Sequence, residues 1–220
     1  MAYNDLTIDQ LRDILQCIKA EGDRNKLELV RVTGLGLDLV DIISDYASTE
    51  IKIYSSNEAF AAVLKDGRVV TWGDTKYGGD SSEVQDELKN QVVQHIYSTY
   101  RVFAALLKNG RVVTWGNPRF GGDSRLVKDE LKNQVVEKIY SNDAAFAALL
   151  KNGRVVTWGN ADNGGDSSSV QDELEDQVVQ HIYSTHAAFA AVLKDGRVVT
   201  WGDAHFGGDI PDNIRGQINK

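Results

Sequence analysis

The sequence predicts a mainly β protein, an array of four β-meander units preceded by a small α-helical module. Three observations carry this. The stretch Lys65-Asp66-Gly67-Arg68-Val69-Val70-Thr71-Trp72-Gly73 returns, with Asp66 or an Asn in its place, around Trp115, Trp158 and Trp201. Each step is 43 residues, without insertion or deletion, and a fixed period of about 20–50 residues marks a repeat architecture. In every unit Asp-Gly or Asn-Gly stands between two apolar runs, a hairpin signal. Beyond the turn, Val69 and Thr71 fall on one face of an extended chain, Val70 and Trp72 on the other. With apolar residues on both faces, each hairpin is expected to be covered from both sides, as in a sheet packed between neighbouring sheets.

Residues 1–48 read as the helical module. Thr7-Ile8-Asp9-Gln10 has the form of a capping box, Leu11, Ile14, Leu15 and Ile18 follow at helical spacing, and Gly22 ends the run. A second helix is expected from Asp38, with Leu39, Ile42, Ile43 and Tyr46 on one face. Residues 27–32 fit helix or strand, and Gly34 and Gly36 break the chain after them. Two or three short helices bury too little surface to stand alone. The module is therefore expected to cap one end of the array or to serve as a docking or oligomerisation element.

Residues 49–220 hold the four units, the last one truncated. A unit opens on the strand Ile53-Tyr54-Ser55, and Gln-Val-Val, as in Gln91-Val92-Val93, precedes the later copies. The strand Ala59-Phe60-Ala61-Ala62-Val63-Leu64 follows, with alanines small enough for close sheet-to-sheet approach. A two-residue type I′ turn at 66–67 is expected, since Asp-Gly and Asn-Gly suit its two positive φ angles. The strand Arg-Val-Val-Thr-Trp-Gly completes the meander, and its four tryptophans are expected to be buried and equivalent. A four-residue polar loop leads to Gly-Gly-Asp at 78–80, 121–123, 164–166 and 207–209. Residues 81–88 fit either a short helical turn, with Val84 and Leu88 on one side, or an extended outer segment.

These residues together resemble the repeat of the regulator of chromosome condensation family. The Asp-Gly-x-Val-x-x-Trp-Gly core carries the resemblance over residues 50–210. It implies a β-propeller and a protein-binding platform; the family's founding members exchange nucleotide on a small GTPase and bind chromatin. The units here are shorter than the family's and four rather than seven. Gly-Gly-Asp-Ser stands where the family tends to have Gly-Gln-Leu-Gly, so no exchange residue carries over. The expected fold is thus a four-repeat β-propeller-like array, with a linear β-solenoid as the alternative. By that resemblance the first strand should complete the last blade, closing the ring within one chain or between two in a homo-oligomer. An open array capped by residues 1–48 and blunted by Ile210-Pro211-Asp212-Asn213 is the alternative.

Composition narrows the function. A hydrophobic share of 42% supports a packed core, and a net charge of −8 lacks the basic footprint of a nucleic-acid binder. Cys17 is the single cysteine, which fits a reducing compartment. The first residues show no basic region or long apolar run and no stretch has the length of a membrane span, so an intracellular, cytoplasmic chain is expected, with no membrane partner. Gly-Gly-Asp invites a calcium reading, but calcium-binding repeats cycle every nine residues or so and need further acids at set spacings. A turn in which Gly supplies positive φ and Asp accepts local amides accounts for it. The four histidines, His95, His181, His186 and His205, have no zinc spacing, and acidic pairs such as Asp86-Glu87 recur as a solvated face does. No catalytic residue, metal or cofactor is expected, and the chain is not read as an enzyme.

Two stretches change from unit to unit. One follows Trp-Gly and contains Lys76, Tyr77, Arg119, Phe120, His205 and Phe206. The other precedes the second strand and contains Tyr100, Arg101 and His186. A meander places both at one end of the sheets. Exchangeable loops on a fixed scaffold suit binding, and aromatic residues and Arg dominate protein interfaces. These nine residues are the expected partner-binding set, for a protein partner. A lectin-like binder of small ligands is an alternative, and nucleotide exchange on a GTPase is another that rests on the family resemblance alone.

Overall fold

In a computed structural model of the chain, the described residues are 51–123, 128–131 and 133–218. The chain divides at Ile51/Lys52, and the account below concerns the second unit; the helical module expected over 1–48 lies outside the described residues. The architecture is mainly β: four three-stranded antiparallel sheets, each formed by one repeat. Sheet 1 comprises β1 (Lys52–Ser55), β2 (Ala59–Val63) and β3 (Val69–Gly73). Sheet 2 comprises β4 (Val93–Ser98), β5 (Val102–Leu107) and β6 (Val112–Gly116). Sheet 3 comprises β7 (Val136–Ser141), β8 (Ala145–Leu150) and β9 (Val155–Gly159). Sheet 4 comprises β10 (Val179–Ser184), β11 (Ala188–Leu193) and β12 (Val198–Gly202).

Register assigns the two faces. Tyr54, Ala61 and Thr71 lie opposite one another across sheet 1, as do Ser55, Phe60 and Trp72. One face therefore carries Tyr54 with the small residues Ala59 and Ala61; the other carries Ile53, Phe60, Val70 and Trp72. Successive sheets stack with unlike faces together. Ala59 and Ala61 of sheet 1 pack on Ile96, Phe103, Val113 and Trp115 of sheet 2. Ala104 meets Phe146 and Trp158 of sheet 3, and Ala147 meets Phe189 and Trp201 of sheet 4. The alanines admit the bulk of the Phe–Trp pair, so the core is three copies of one small-against-large interface. In every sheet the Phe and Trp rings stack at centroid distances of 5.1–5.5 Å.

The first strands stand next to one another from sheet to sheet. The Ser98 hydroxyl donates to the Ser55 carbonyl at 2.8 Å, and the Ser184 hydroxyl to the Ser141 carbonyl at 2.9 Å. Strands that converge on one side while sheets stack face to face make the array propeller-like. The last Val of Gln-Val-Val and Ile-Tyr-Ser prove to belong to one strand: β4, β7 and β10 each start at that Val and run through Ile-Tyr-Ser, with a bulge after the first residue.

Three expectations are corrected. The hairpin turn is not a two-residue type I′ turn. Leu64 and Arg68 pair, the Gly67 amide donates to the Leu64 carbonyl, and Gly67 alone has positive φ, at 83°. This is a type I turn closed by a left-handed glycine. The Asp66 carboxylate accepts the Arg68 amide at 3.0 Å, and Asn109 does the same for Arg111. That side-chain bond holds the acidic or amide residue in ordinary φ, where type I′ would demand a positive one.

The tryptophans are not equivalent. Trp115 and Trp201 are 3% and 1% exposed, but Trp72 is 45% exposed, because no preceding sheet among the described residues covers it. The first strand does not complete the last sheet: β1 pairs with β2, and β10, β11 and β12 already make sheet 4 complete. After β12 the described residues add no further strand, and Asp212–Ile218 is helical.

Residues 82–88 take the helical option. A 3-10 turn, Ser82–Val84, runs into one α turn, Gln85–Leu88, that buries Leu88. Asn90, Asn133 and Asp176 follow these turns in the left-handed region, at φ 56–60°, which Asn and Asp tolerate better than other side chains.

Candidate protein-binding face

The strand order brings the two variable stretches of each unit to the same end of its sheet. Two kinds of bond tie them. The Asp74 amide donates to the Glu58 carbonyl at 3.0 Å, and the Ser56 hydroxyl to the Tyr77 carbonyl at 2.7 Å. Asn142 and Thr185, at the position of Ser56, make the same bond to Asn163 and Phe206, both at 2.7 Å. The loop after Trp-Gly is a 3-10 turn capped by its first residue: Asp74, Asn117 and Asp203 accept the amides of Lys76, Arg119 and His205. It closes on the first Gly of Gly-Gly-Asp in the left-handed region. Asp80 and Asp166 then accept the amides of Ser82 and Ser168, both at 2.9 Å, which is the turn chemistry expected for that aspartate. Among the described residues no three His, Cys, Asp or Glu side chains cluster as a metal site would require.

The loops before the second strands form a ladder from unit to unit. The Asn57 amide donates to the Tyr100 carbonyl, the Tyr100 amide to the Asp143 carbonyl, and the Asp143 amide to the His186 carbonyl, at 3.1, 2.9 and 3.4 Å. Because each rung spans one period, the side chains next to it line up along the convergent edge. They surround a shallow depression of about 490 Å³ that includes Asn57, Tyr100, Asp143 and His186.

Two side-chain groups stand out. The Arg101 guanidinium lies over the Tyr77 ring at 5.0 Å and the Phe120 ring at 5.1 Å, joining units 1 and 2 by cation–π contact. The second group centres on Asp143. His186 Nδ1 is 2.5 Å from its carboxylate, and the Tyr100 hydroxyl donates to it, which raises the phenol above its ordinary value. The His186 ring lies 6.0 Å from Tyr100 and 5.6 Å from Phe206.

The nine expected residues thus divide. Tyr77 and Phe120 are half-buried against the core, and Arg101 is half-buried between them. Lys76, Tyr100, Arg119, His186, His205 and Phe206 are exposed. Lys76, Arg119 and His205 occupy one rim position in units 1, 2 and 4, where unit 3 has Asp162. Asp143, and the tie formed by Ser56, Asn142 and Thr185, were not singled out from sequence. A polar residue at that position in every unit was the available signal.

No family model and no curated protein matches the chain. Solved structures do. Prp20p from Saccharomyces cerevisiae, a protein with binding properties toward Gsp1p and histones, is 20% identical with a TM-score of 0.48, over 69% of this chain and 44% of that one. Yeast RCC1 (Prp20) bound to Kap60 is 20% identical with a TM-score of 0.49, over 74% of this chain and 44% of that one. The ectodomain of the Physcomitrella patens receptor kinase CR4 is 18% identical with a TM-score of 0.46, over 68% of this chain and 39% of that one. The chain spans less than half the length of these proteins. Likeness at 18–20% identity concerns the fold alone. Among the described residues no helix is long and apolar enough to cross a membrane.

Proposed function

We propose that this chain is a non-catalytic scaffold that binds a protein through the loop end of its sheets. The observation that carries the reading is the gathering of Tyr100, His186 and Phe206 into one exposed group from units 2 and 4. Arg119 and His205 are exposed in the other variable loops of the same two units. The opposite end of the sheets repeats Lys-Asp-Gly-Arg or Lys-Asn-Gly-Arg nearly unchanged, so that end barely distinguishes one unit from the next. Aromatic rings held by neighbours lose little freedom on binding, which favours them as anchors. The absence of recurring nucleophile, base and acid in the sequence supports a binding rather than a catalytic role. The single cysteine supports a reducing, intracellular setting.

The test places a photoreactive residue at position 119, on the loop end, and separately at position 151, at a hairpin turn. A partner that crosslinks from 119 and not from 151 is expected. The combined variant Tyr100→Ala, Arg119→Ala, Phe206→Ala should lose that crosslink while its melting temperature stays near that of the wild type. Equal capture from both ends, or capture that survives the triple variant, would refute the reading.

A further inference from the structure

The two outer faces of the array are the two halves of an interface that the array already makes three times. We infer that the Phe60–Trp72 face of one copy binds the Tyr183–Ala190 face of a second copy, head to tail, with the geometry of the internal interfaces.

The internal interfaces are built from four features. The small-residue face of one sheet meets the Phe–Trp face of the next. The Phe–Trp pair lies over the first Gly of the preceding Gly-Gly turn, so closely that a methyl group at Gly78 would come within 2.7 Å of Phe103, and one at Gly164 within 2.9 Å of Phe189. At two of the three interfaces the indole N–H also donates to that glycine's carbonyl, Trp115 to Gly78 at 3.1 Å and Trp201 to Gly164 at 3.0 Å, whereas the buried Trp158 indole nitrogen has no such bond. The loop amides and the first-strand serines add their one-period bonds.

Each feature is present in halves at the ends. Phe60 and Trp72 stack as the other pairs do, at 5.3 Å, yet are 43% and 45% exposed; Ile53 beside them is 59% exposed, whereas Ile96 is buried. At the other end, Gly207 has the left-handed φ of Gly78 and Gly164, with open space where they meet a Phe–Trp pair. Tyr183 is 62% exposed there, while Tyr54, Tyr97 and Tyr140 pack against the following sheet. A cradle for a Phe–Trp pair stands open at one end, and an uncovered Phe–Trp pair stands at the other.

A second copy completes the match without altering the first. Bringing Trp72 to Gly207 within one chain would require all three interdigitated interfaces to shift together, against close packing at each. Between copies the same contact forms by rigid docking. It places the Trp72 indole on the Gly207 carbonyl, the Ser55 hydroxyl on the Ser184 carbonyl, and the His186 amide on the Asn57 carbonyl. Head-to-tail contacts close into rings or continue as filaments, and two copies joined at both seams form a ring of eight sheets.

The test is native mass spectrometry with analytical ultracentrifugation on the 220-residue chain. The wild type should run as two copies or a higher multiple. Trp72→Glu removes the head and Ala190→Arg the tail, so each variant alone should be monomeric. Mixed together, they should form a heterodimer, since one supplies an intact tail and the other an intact head. Recovery on mixing cannot come from unfolded chains; Tyr183→Arg serves as the tail variant should Ala190→Arg fail to fold. A monomeric wild type, whether Trp72 emits as exposed or as shielded by another part of the chain, overturns the inference. So does an assembly that persists in both variants, or variants that fold but do not combine.

Discussion

Trp72 and Trp201 hold the same place in the repeat and differ in what surrounds them, at 45% and 1% exposure. Trp201→Ala removes a filled volume and a bond to Gly164, and should cost about 3–5 kcal/mol in denaturant unfolding. Trp72→Ala, measured where the chain is monomeric, should cost under about 1 kcal/mol, as surface changes do. Equal losses would mean that Trp72 is covered. Titration offers a second test at this scale. The Arg68 side chain holds the Asp66 carboxyl below its ordinary value of 3.8, and Arg197 does the same for Asp195. The Ser82 and Ser168 amides act likewise on Asp80 and Asp166. Since the folded values lie below the unfolded ones, this stability is complete above the ordinary carboxylate value. It is lost as pH falls through the folded values. The molecule carries its own control, because Asn109 and Asn152 keep the same backbone bond without titrating. The double variant Asp66→Asn, Asp195→Asn should therefore lose melting temperature less steeply below pH ~4 than the wild type; superimposable curves would refute the linkage.

At the scale of the element, backbone proximity decides what a turn tolerates. The second Gly of Gly-Gly lies against the Trp-Gly that ends β9: a methyl group at Gly165 would fall 2.6 Å from the Gly159 carbonyl carbon. Backbone cannot rotate aside, so Gly165→Ala should cost roughly 1–3 kcal/mol or more. Gly216, in the helix Asp212–Ile218, has open space around it, and Gly216→Ala should stabilise by about 0.5–1 kcal/mol. Thermal melts of the two variants should move in opposite directions. The strands were readable in advance because period 2 and the 43-residue step reinforce each other, down to the face shared by Val70 and Trp72. The turn type was not, since Asp-Gly suits both turns, and the choice lies in the pairing of Leu64 with Arg68. Residues 82–88 span too few turns to show a helical period. In the loops, Ser56, Asn142 and Thr185 differ in identity and share one bond, so variation there overstated freedom. Phe120 and Tyr77 vary in the same loops and still pack on the core, which no comparison of units could reveal.

At the scale of the whole molecule, stability depends on how many faces of a sheet are covered. Among the described residues, sheets 2 and 3 have neighbours on both faces, while sheets 1 and 4 each leave one open. Repeat arrays behave as intrinsic terms plus nearest-neighbour terms, so the ends should open first. Amide hydrogen exchange should be slowest in β5 and β8 and faster in β2 and β11. The end strands should gain protection as protein concentration rises, and uniform protection at high dilution would contradict this. A consequence for the gene follows from the hydrogen bonds that step forward by one period. Every unit presents the same small-residue face to the next and receives the same aromatic face in return. Unequal recombination can then delete or duplicate whole units with no new interface to evolve. Excising residues 93–135 would seat Phe146 and Trp158 on Ala59 and Ala61, leaving a folded chain of three sheets. The number of units is thus open to inheritance by copy number, while point substitutions accumulate separately in the loops.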